Sequence, residues 1–233
     1  MNALMTRSGR PTTSDDEHPT PVERSYLEVI SYLASRNEPV IAAHLARWMR
    51  VRPPTVTNVV QRLERKHLIT RDASGAIELT ETGTELANQI VRRHRLLECF
   101  LYSIVGIPWH QVHQEAIRLE PSLSPAFEAR IEALVGQSTT CPHGNPIPGQ
   151  GLPPVQDMRL SAAPSGSRFV IRRIDEEAGE DACTLQLLST RGLLPGTELL
   201  RLTDSQDSVA VRRADRRMTL SHRVANLIWG ECI

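Results

Sequence analysis

The sequence predicts an α+β chain, with helices carrying residues 22–136 and strands carrying residues 158–233. Three observations predict it. Apolar residues recur at spacings of three and four through the first half, which marks one buried helical face after another. Residues 137–157, GQSTTCPHGNPIPGQGLPPVQ, hold too much Pro and Gly for regular structure and read as a linker with polyproline character. Beyond them FVIRRI, TELLRL and SVAVRRA switch to strand-like runs.

With 233 residues, 40% of them hydrophobic, the chain is long enough for two or three modest domains. The start, 1–21, is polar and rich in Pro, Thr and Asp without the apolar core of a signal peptide, and a disordered tail is expected. No apolar run approaches the roughly 18 residues of a membrane span. Cys99, Cys141, Cys183 and Cys232 are scattered with no CxxC, which points to a reducing, cytoplasmic compartment.

Within 22–80, Tyr26, Leu27, Ile30 and Leu33 form a helical stripe, and a second short helix follows with Ile41, Leu45 and Met49 four apart. Arg50-Val-Arg-Pro-Pro54 breaks it. TVTNVVQRLERKHLI then places Val56, Val59, Val60, Leu63 and Leu68 on one face. Pro54 costs nothing in a first helical turn, where its N–H would lack a partner. ITRDASGAIELT gives two short β-prone runs around Ala-Ser-Gly, as in a hairpin. Helix, helix–turn–helix and hairpin is the winged-helix order.

The opposite face of that third helix offers Thr55, Thr57, Asn58, Gln61, Arg62 and Arg65. An α-helix fits the major groove of duplex DNA, and polar side chains there reach base edges. Asn58 suits adenine, Arg62 guanine or phosphate, and Thr55 and Thr57 phosphate or a thymine methyl. Arg71 and Ser74 in the wing are placed for the backbone. Formal charge is zero overall, yet Arg47–Arg71 holds 7 basic residues against 1 acidic. Residues 96–136 carry 2 basic and 5 acidic, and 157–233 balance at 11 each. A cationic surplus confined to one stretch is the footprint of nucleic-acid binding, although a charge run can equally be a solvated face.

PPTVTNVVQRLERKHLI, ELTETGTELA, HRLLECFL, VHQEAIRLE and CPHGNPIPG together resemble the diphtheria-toxin-repressor family of iron- and manganese-dependent regulators. RGLLPGTELL, LSHRVANLI and FVIRRI resemble that family's SH3-like module, which is related to ferrous-transport-A-type domains. The resemblance covers nearly everything after residue 22. It implies a winged helix-turn-helix (22–80), a helical metal-binding and dimerisation region (81–136), the linker (137–157) and an SH3-like barrel (158–233). It also implies a homodimer that binds a palindromic operator and represses metal-homeostasis genes, with a divalent corepressor: Fe2+ or Mn2+, with Zn2+ or Co2+ as alternatives.

His94 and Glu98 are four apart and share a helical face; His113, Ile117 and Glu120 share another. Imidazole and carboxylate suit divalent transition metals. By resemblance, His94, Glu98 and His113 match the family's ancillary metal site, completed from the SH3-like module by Glu180 and Cys183. The activating site matches poorly: its positions read Ser25, Ile117, Glu120 and Pro121, so only Glu120 keeps a ligand. A remodelled set of Glu28, His94 and Glu120 is the alternative, as is a regulator that no longer senses metal.

Cys141-Pro-His143 offers a thiol and an imidazole, and a structural loop is the favoured reading of so short a pair. Cys99 points away from the His94/Glu98 face and is expected in the core. Trp109, Val112, Ala116, Leu119 and Leu123 make an apolar surface for a dimer partner or for the SH3-like module. No phosphate-binding Gly loop, GxSxG or HExxH is present, and an enzyme is not expected. A metal-transport accessory protein is the remaining alternative; seven cations in 25 residues speak against it.

Overall fold

The computed structural model describes residues 18–36, 39–151, 157–179, 181–203 and 208–233. Most of the expected tail and the candidate ligand Glu180 lie outside the described residues. The chain divides into two compact units, residues 1–88 and 89–233.

In the first unit, α1 (Pro21–Ala34), α2 (Ala42–Trp48) and α3 (Pro53–Arg65) precede a hairpin of β1 (Ile69–Arg71) and β2 (Ile77–Leu79). The hairpin is antiparallel, with Thr70 opposite Glu78. α1 starts at a capping box: Thr20 accepts from the Glu23 N–H, the Glu23 carboxylate accepts from the Thr20 N–H, and Pro21 fills the first helical position. The predicted stripes of α1 and α3 are the core, whereas of the α2 stripe only Leu45 is buried: Ile41 precedes the helix and is exposed, and Met49 is half-buried. Tyr26, Leu27 and Ile30 of α1 bury against Leu45 of α2 and Val56, Val59 and Leu63 of α3. Fully burying each leucine-sized side chain contributes roughly 1.5–3 kcal/mol before entropy is counted. The wing turn is tied by Asp72, whose Oδ1 accepts from the N–H groups of Ser74 and Ala76.

α4 (Glu81–Phe100) is the long helix, continued by a π-helical turn over Leu101–Val105 that stops at Gly106. α5 (Val112–Leu119) and α6 (Pro125–Val135) follow. Leu96, Leu97, Val112, Ala116, Ile131 and Val135 share one buried cluster, which also holds Cys99, as expected. The C-terminal part has β3 (Met158–Arg159), β4 (Arg168–Ile174), α7 (Ala182–Arg191), β5 (Glu198–Arg201), β6 (Ser208–Arg213), β7 (Arg216–Ser221), α8 (His222–Ala225) and β8 (Ile228–Cys232). They form one antiparallel sheet in the order β3-β8-β4-β5-β6-β7. Among the described residues no strand pair closes this sheet into a barrel. Its core of Phe169, Ile171, Leu185, Leu188, Val209 and Ile228 takes in Trp109 from the helical region. Of the two roles weighed for that apolar surface, Trp109 takes the packing one.

Candidate metal centre and nucleic-acid interface

α4 presents His94 and Glu98 one turn apart on its buried face, and α5 brings His113 opposite them. His113 Nδ1 lies 2.9 Å from Glu98 Oε1, and His94 Nε2 lies 3.2 Å from both. An ion with bonds of about 2.0–2.2 Å sets neighbouring donors roughly 3.0–3.5 Å apart in octahedral or tetrahedral geometry. The three donor atoms thus form a triangle of the size one ion requires. Gly179 makes room for it: a Cβ there would sit 2.5 Å from His113 Cδ2.

The Pro-rich segment adds two more donors. Glu98, Cys141 and His143 form a second buried group whose donor atoms lie within 4.8 Å of one another, and His143 Nδ1 is 3.6 Å from Glu98 Oε1. The Nε2 of His143 is buried with no hydrogen-bond partner among the described residues. Backbone and side chains together hold this segment: the Cys141 N–H donates to Asn145 O, the Ile147 N–H to Thr139 O and the Ile174 N–H of β4 to His143 O. Arg92 donates to Pro148 O, Arg95 to Pro146 O, Asn145 to Ile174 O, and the Trp109 indole to Pro142 O. Gly144, at φ 86, passes so close to Arg172 O that a Cβ would lie 2.1 Å away. The turn read from Cys141-Pro-His143 is present, and its side chains face Glu98.

Electrostatics draw the cluster together. Burial alone would raise the pKa of Glu98, but His143, His113 and His94 outweigh it and hold the carboxyl well below its ordinary range. Glu176, also pushed up by burial, is held low by Arg95, which donates to it at 2.7 Å, and by the nearby histidines. Burial and the negative Glu98 and Glu176 push the Cys141 thiol far up, so without a metal it keeps its proton. Burial opposes charging His113, yet Glu98 overcomes this and raises it.

The other predicted ligands fall differently. Glu120 Oε2 lies 3.5 Å from Nδ1 of His94, the ring nitrogen opposite the one that faces Glu98 and His113. Cys183 is exposed at the start of α7 and belongs to neither donor group among the described residues. The acidic side chain that the C-terminal module does bring is Glu176, in a short 3-10 turn after β4. Glu28 is half-buried on α1, in the other unit. Ser25 is exposed and its hydroxyl donates to Pro21 O; Ile117 is 42% exposed. Glu176 carries no signal in the sequence, while Cys141 and His143 read there as a thiol and an imidazole in a structural loop.

On α3 the residues Pro54, Thr55, Thr57, Asn58, Gln61 and Arg65 are exposed on the side away from the core. Arg62 sits at the flank, its Nε donating at 2.8 Å to the buried Glu23, which also accepts from Lys66. Arg71 in the wing pairs with Glu64 of α3.

Family models match three consecutive stretches: "MarR family" over residues 32–75, "Iron dependent repressor, metal binding and dimerisation domain" over 80–149, and "FeoA domain" over 158–232. The chain is 32% identical over 218 residues to the iron-dependent repressor IdeR of Mycobacterium tuberculosis, covering 88% of this chain and 95% of that protein. It is 32% identical over 215 residues to the diphtheria toxin repressor of Corynebacterium efficiens, covering 88% and 93%. A solved manganese-dependent transcriptional repressor in complex with manganese superposes with a TM-score of 0.79 at 31% identity, covering 91% of this chain and all of that one. The IdeR of T. acidophilum superposes with a TM-score of 0.72 at 27% identity over 96% of this chain. With its helix-turn-helix, helical and FeoA-type parts in this order, the chain belongs to the iron-dependent repressor family that includes the diphtheria toxin repressor.

Proposed function

We propose that this protein is a cytoplasmic transcriptional repressor that a divalent transition metal switches on, binding a palindromic operator as a homodimer. The observation that carries the metal is the buried triangle of His94 Nε2, His113 Nδ1 and Glu98 Oε1. Cys141 and His143 extend it, Glu176 and Arg95 set its charge, and Glu120 orients His94. A bound dication supplies the fixed positive centre that lets these acidic and imidazole groups stay together. Imidazoles with a thiol favour borderline ions, so Fe2+, Zn2+ and Co2+ fit this donor set better than Mn2+.

The DNA face is α3. Asn58 and Gln61 sit at its exposed centre for base edges, and Arg65 with the braced Arg62 sits where backbone phosphates run. The dimer surface belongs to the helical region, which leaves Tyr102, Ile104, Val105, Leu119, Phe127 and Leu134 more than 40% exposed. Metal-homeostasis genes are the expected targets, as the names of the relatives suggest.

The test is operator selection followed by binding of the chelator-stripped protein with and without Fe(II), Mn, Co or Zn, beside Glu98→Gln. Metal-dependent binding lost in Glu98→Gln supports the reading. Equal binding with and without metal would mean that the cluster is a polar core and the switch is gone.

A further inference from the structure

The second unit carries one strongly charged surface far from the metal cluster in sequence. Of the 11 basic residues in 157–233, four stand within the six residues 212–217, at the tip of the β6–β7 hairpin. Ala214, at φ 49, turns the chain in two residues, so the arginines meet in register: Arg212 opposite Arg217 and Arg213 opposite Arg216. Like charges directly opposite on antiparallel strands destabilise the pair. Among the described residues none of the four has a carboxylate within ion-pair distance, although Asp215 stands between them in the chain. Their neighbours add to the cationic field. Arg213 lies against Gly192 at the C-terminal end of α7, and Arg191 donates to Thr219 O on β7. All four are exposed.

A hairpin that stacks two repulsive pairs, with no carboxylate within ion-pair distance among the described residues, leaves a cationic tip that an external polyanion completes. We propose that the β6–β7 tip is a second DNA contact, in which Arg212, Arg213, Arg216 and Arg217 bind the phosphate backbone of the duplex. Guanidinium forks match phosphate oxygens in pairs and need no base identity, so the tip adds affinity without sequence preference. Duplex DNA is the occupant because the reading of this chain as a DNA-binding repressor, on which the inference rests, already brings that polyanion to the molecule. A module covalently joined to a DNA-bound domain meets it at high effective concentration.

The test uses the full chain with metal and a random-sequence duplex, measuring affinity across a salt series for wild type, Arg65→Ala and a variant with Arg212, Arg213, Arg216 and Arg217 each changed to Ser. Each phosphate that the protein ceases to neutralise flattens the slope of log affinity against log salt by about 0.9. The four-site variant is expected to flatten it by about 2 or more, weaken binding at low salt at least about tenfold, and leave the operator preference ratio unchanged. Its melting temperature should equal or exceed that of wild type, since two repulsive pairs are removed; this separates a weakened DNA grip from a damaged fold. An unchanged slope in a folded variant, with Arg65→Ala still weakening binding, overturns the hairpin's role and leaves the repressor reading standing. An unchanged DNA slope with binding to polyglutamate abolished assigns the tip to an acidic protein and also overturns it. Failure of wild type itself to bind any duplex overturns both.

Discussion

Glu23→Gln tests whether one buried carboxylate holds the recognition helix in place. Glu23 is fully buried at the first turn of α1 and accepts hydrogen bonds from Arg62 at 2.8 Å, Lys66 at 2.9 Å and the Thr20 N–H at 2.7 Å. Burial works against its charge, but the Thr20 N–H, Lys66 and Arg62 prevail and lower its pKa from 4.5 to about 2. That lowering corresponds to at most about 3 kcal/mol of stability at neutral pH, and water reaching the partly exposed Arg62 screens it to about 2 kcal/mol. Because the folded pKa is the depressed one, that contribution is complete above the unfolded value of 4.5 and is lost as pH falls from there toward 2. Glutamine preserves the shape and can still serve the capping box, so the missing charge is what the substitution reads. A chain of two units need not unfold in one step, so the assay is urea unfolding with hydrogen exchange resolved on α1 and α3. We expect the first unit to lose about 2 kcal/mol at neutral pH, with wild type and variant converging in acid. A loss under about 1 kcal/mol, or a gap that does not narrow between pH 4.5 and 2, would refute the reasoning.

Three further outcomes follow from the same structure. Gly179→Ala keeps an ordinary helical backbone but drives a methyl into His113, and calorimetry should show metal affinity at least about tenfold weaker with the fold intact; unchanged affinity would remove His113 from the ligand set. Metal affinity should fall as pH is lowered and uptake should release protons, because His113 and Cys141, both with raised pKa, must give theirs up; pH-independent uptake without proton release would exclude them. Asn58→Ala should lose about 1–3 kcal/mol of discrimination at one operator position, and an equally sharp preference in both proteins would take Asn58 out of base reading.

The fold was legible wherever periodicity and turn chemistry agree. The stripes of α1 and α3, the wing around Asp72–Gly75 and the strand FVIRRI all follow from side-chain pattern. His94, Glu98 and His113 were legible too, since spacing on helices fixes which face a residue shares. The rest of the cluster depends on contacts between residues far apart in the chain, which no local pattern encodes. Cys141 and His143 lie in a segment without period, and its orientation depends on distant partners: Arg92, Arg95, Trp109, and Ile174, whose O accepts from Asn145 and whose N–H donates to His143 O. Glu176 sits in an acidic run, DEE, where pattern cannot tell which carboxylate turns inward; Asp175 caps the short turn and Glu177 is exposed. The brace from Glu23 to Arg62 spans 39 residues, and a capping-box glutamate is ordinarily explained by its own helix.

The proposed switch differs in layout from two metal sites side by side. Of the positions of the second, activating set, Ser25 bonds to its own helix, Ile117 is exposed, and Glu120 lies beside Nδ1 of His94. Instead, ligand-type groups from α4, α5, the 141–147 segment and the turn at 176 converge within one unit. Without an ion, that convergence relies on protons at His113 and Cys141 and on Arg95 to offset Glu98 and Glu176. An ion replacing the two protons would tie together segments up to 49 residues apart, from His94 to His143, and would stabilise the arrangement by mass action, about 2.7 kcal/mol at a hundredfold excess over its Kd. Such a centre would act by fixing how the helical region and the C-terminal module of this unit are joined, and so would set the geometry in which the exposed helical surface meets the proposed second copy. On the proposed reading, metal specificity would follow from the donors that Cys141 and His143 add around Glu98, and not from Ile117 and Pro121, whose side chains offer no ligand atom.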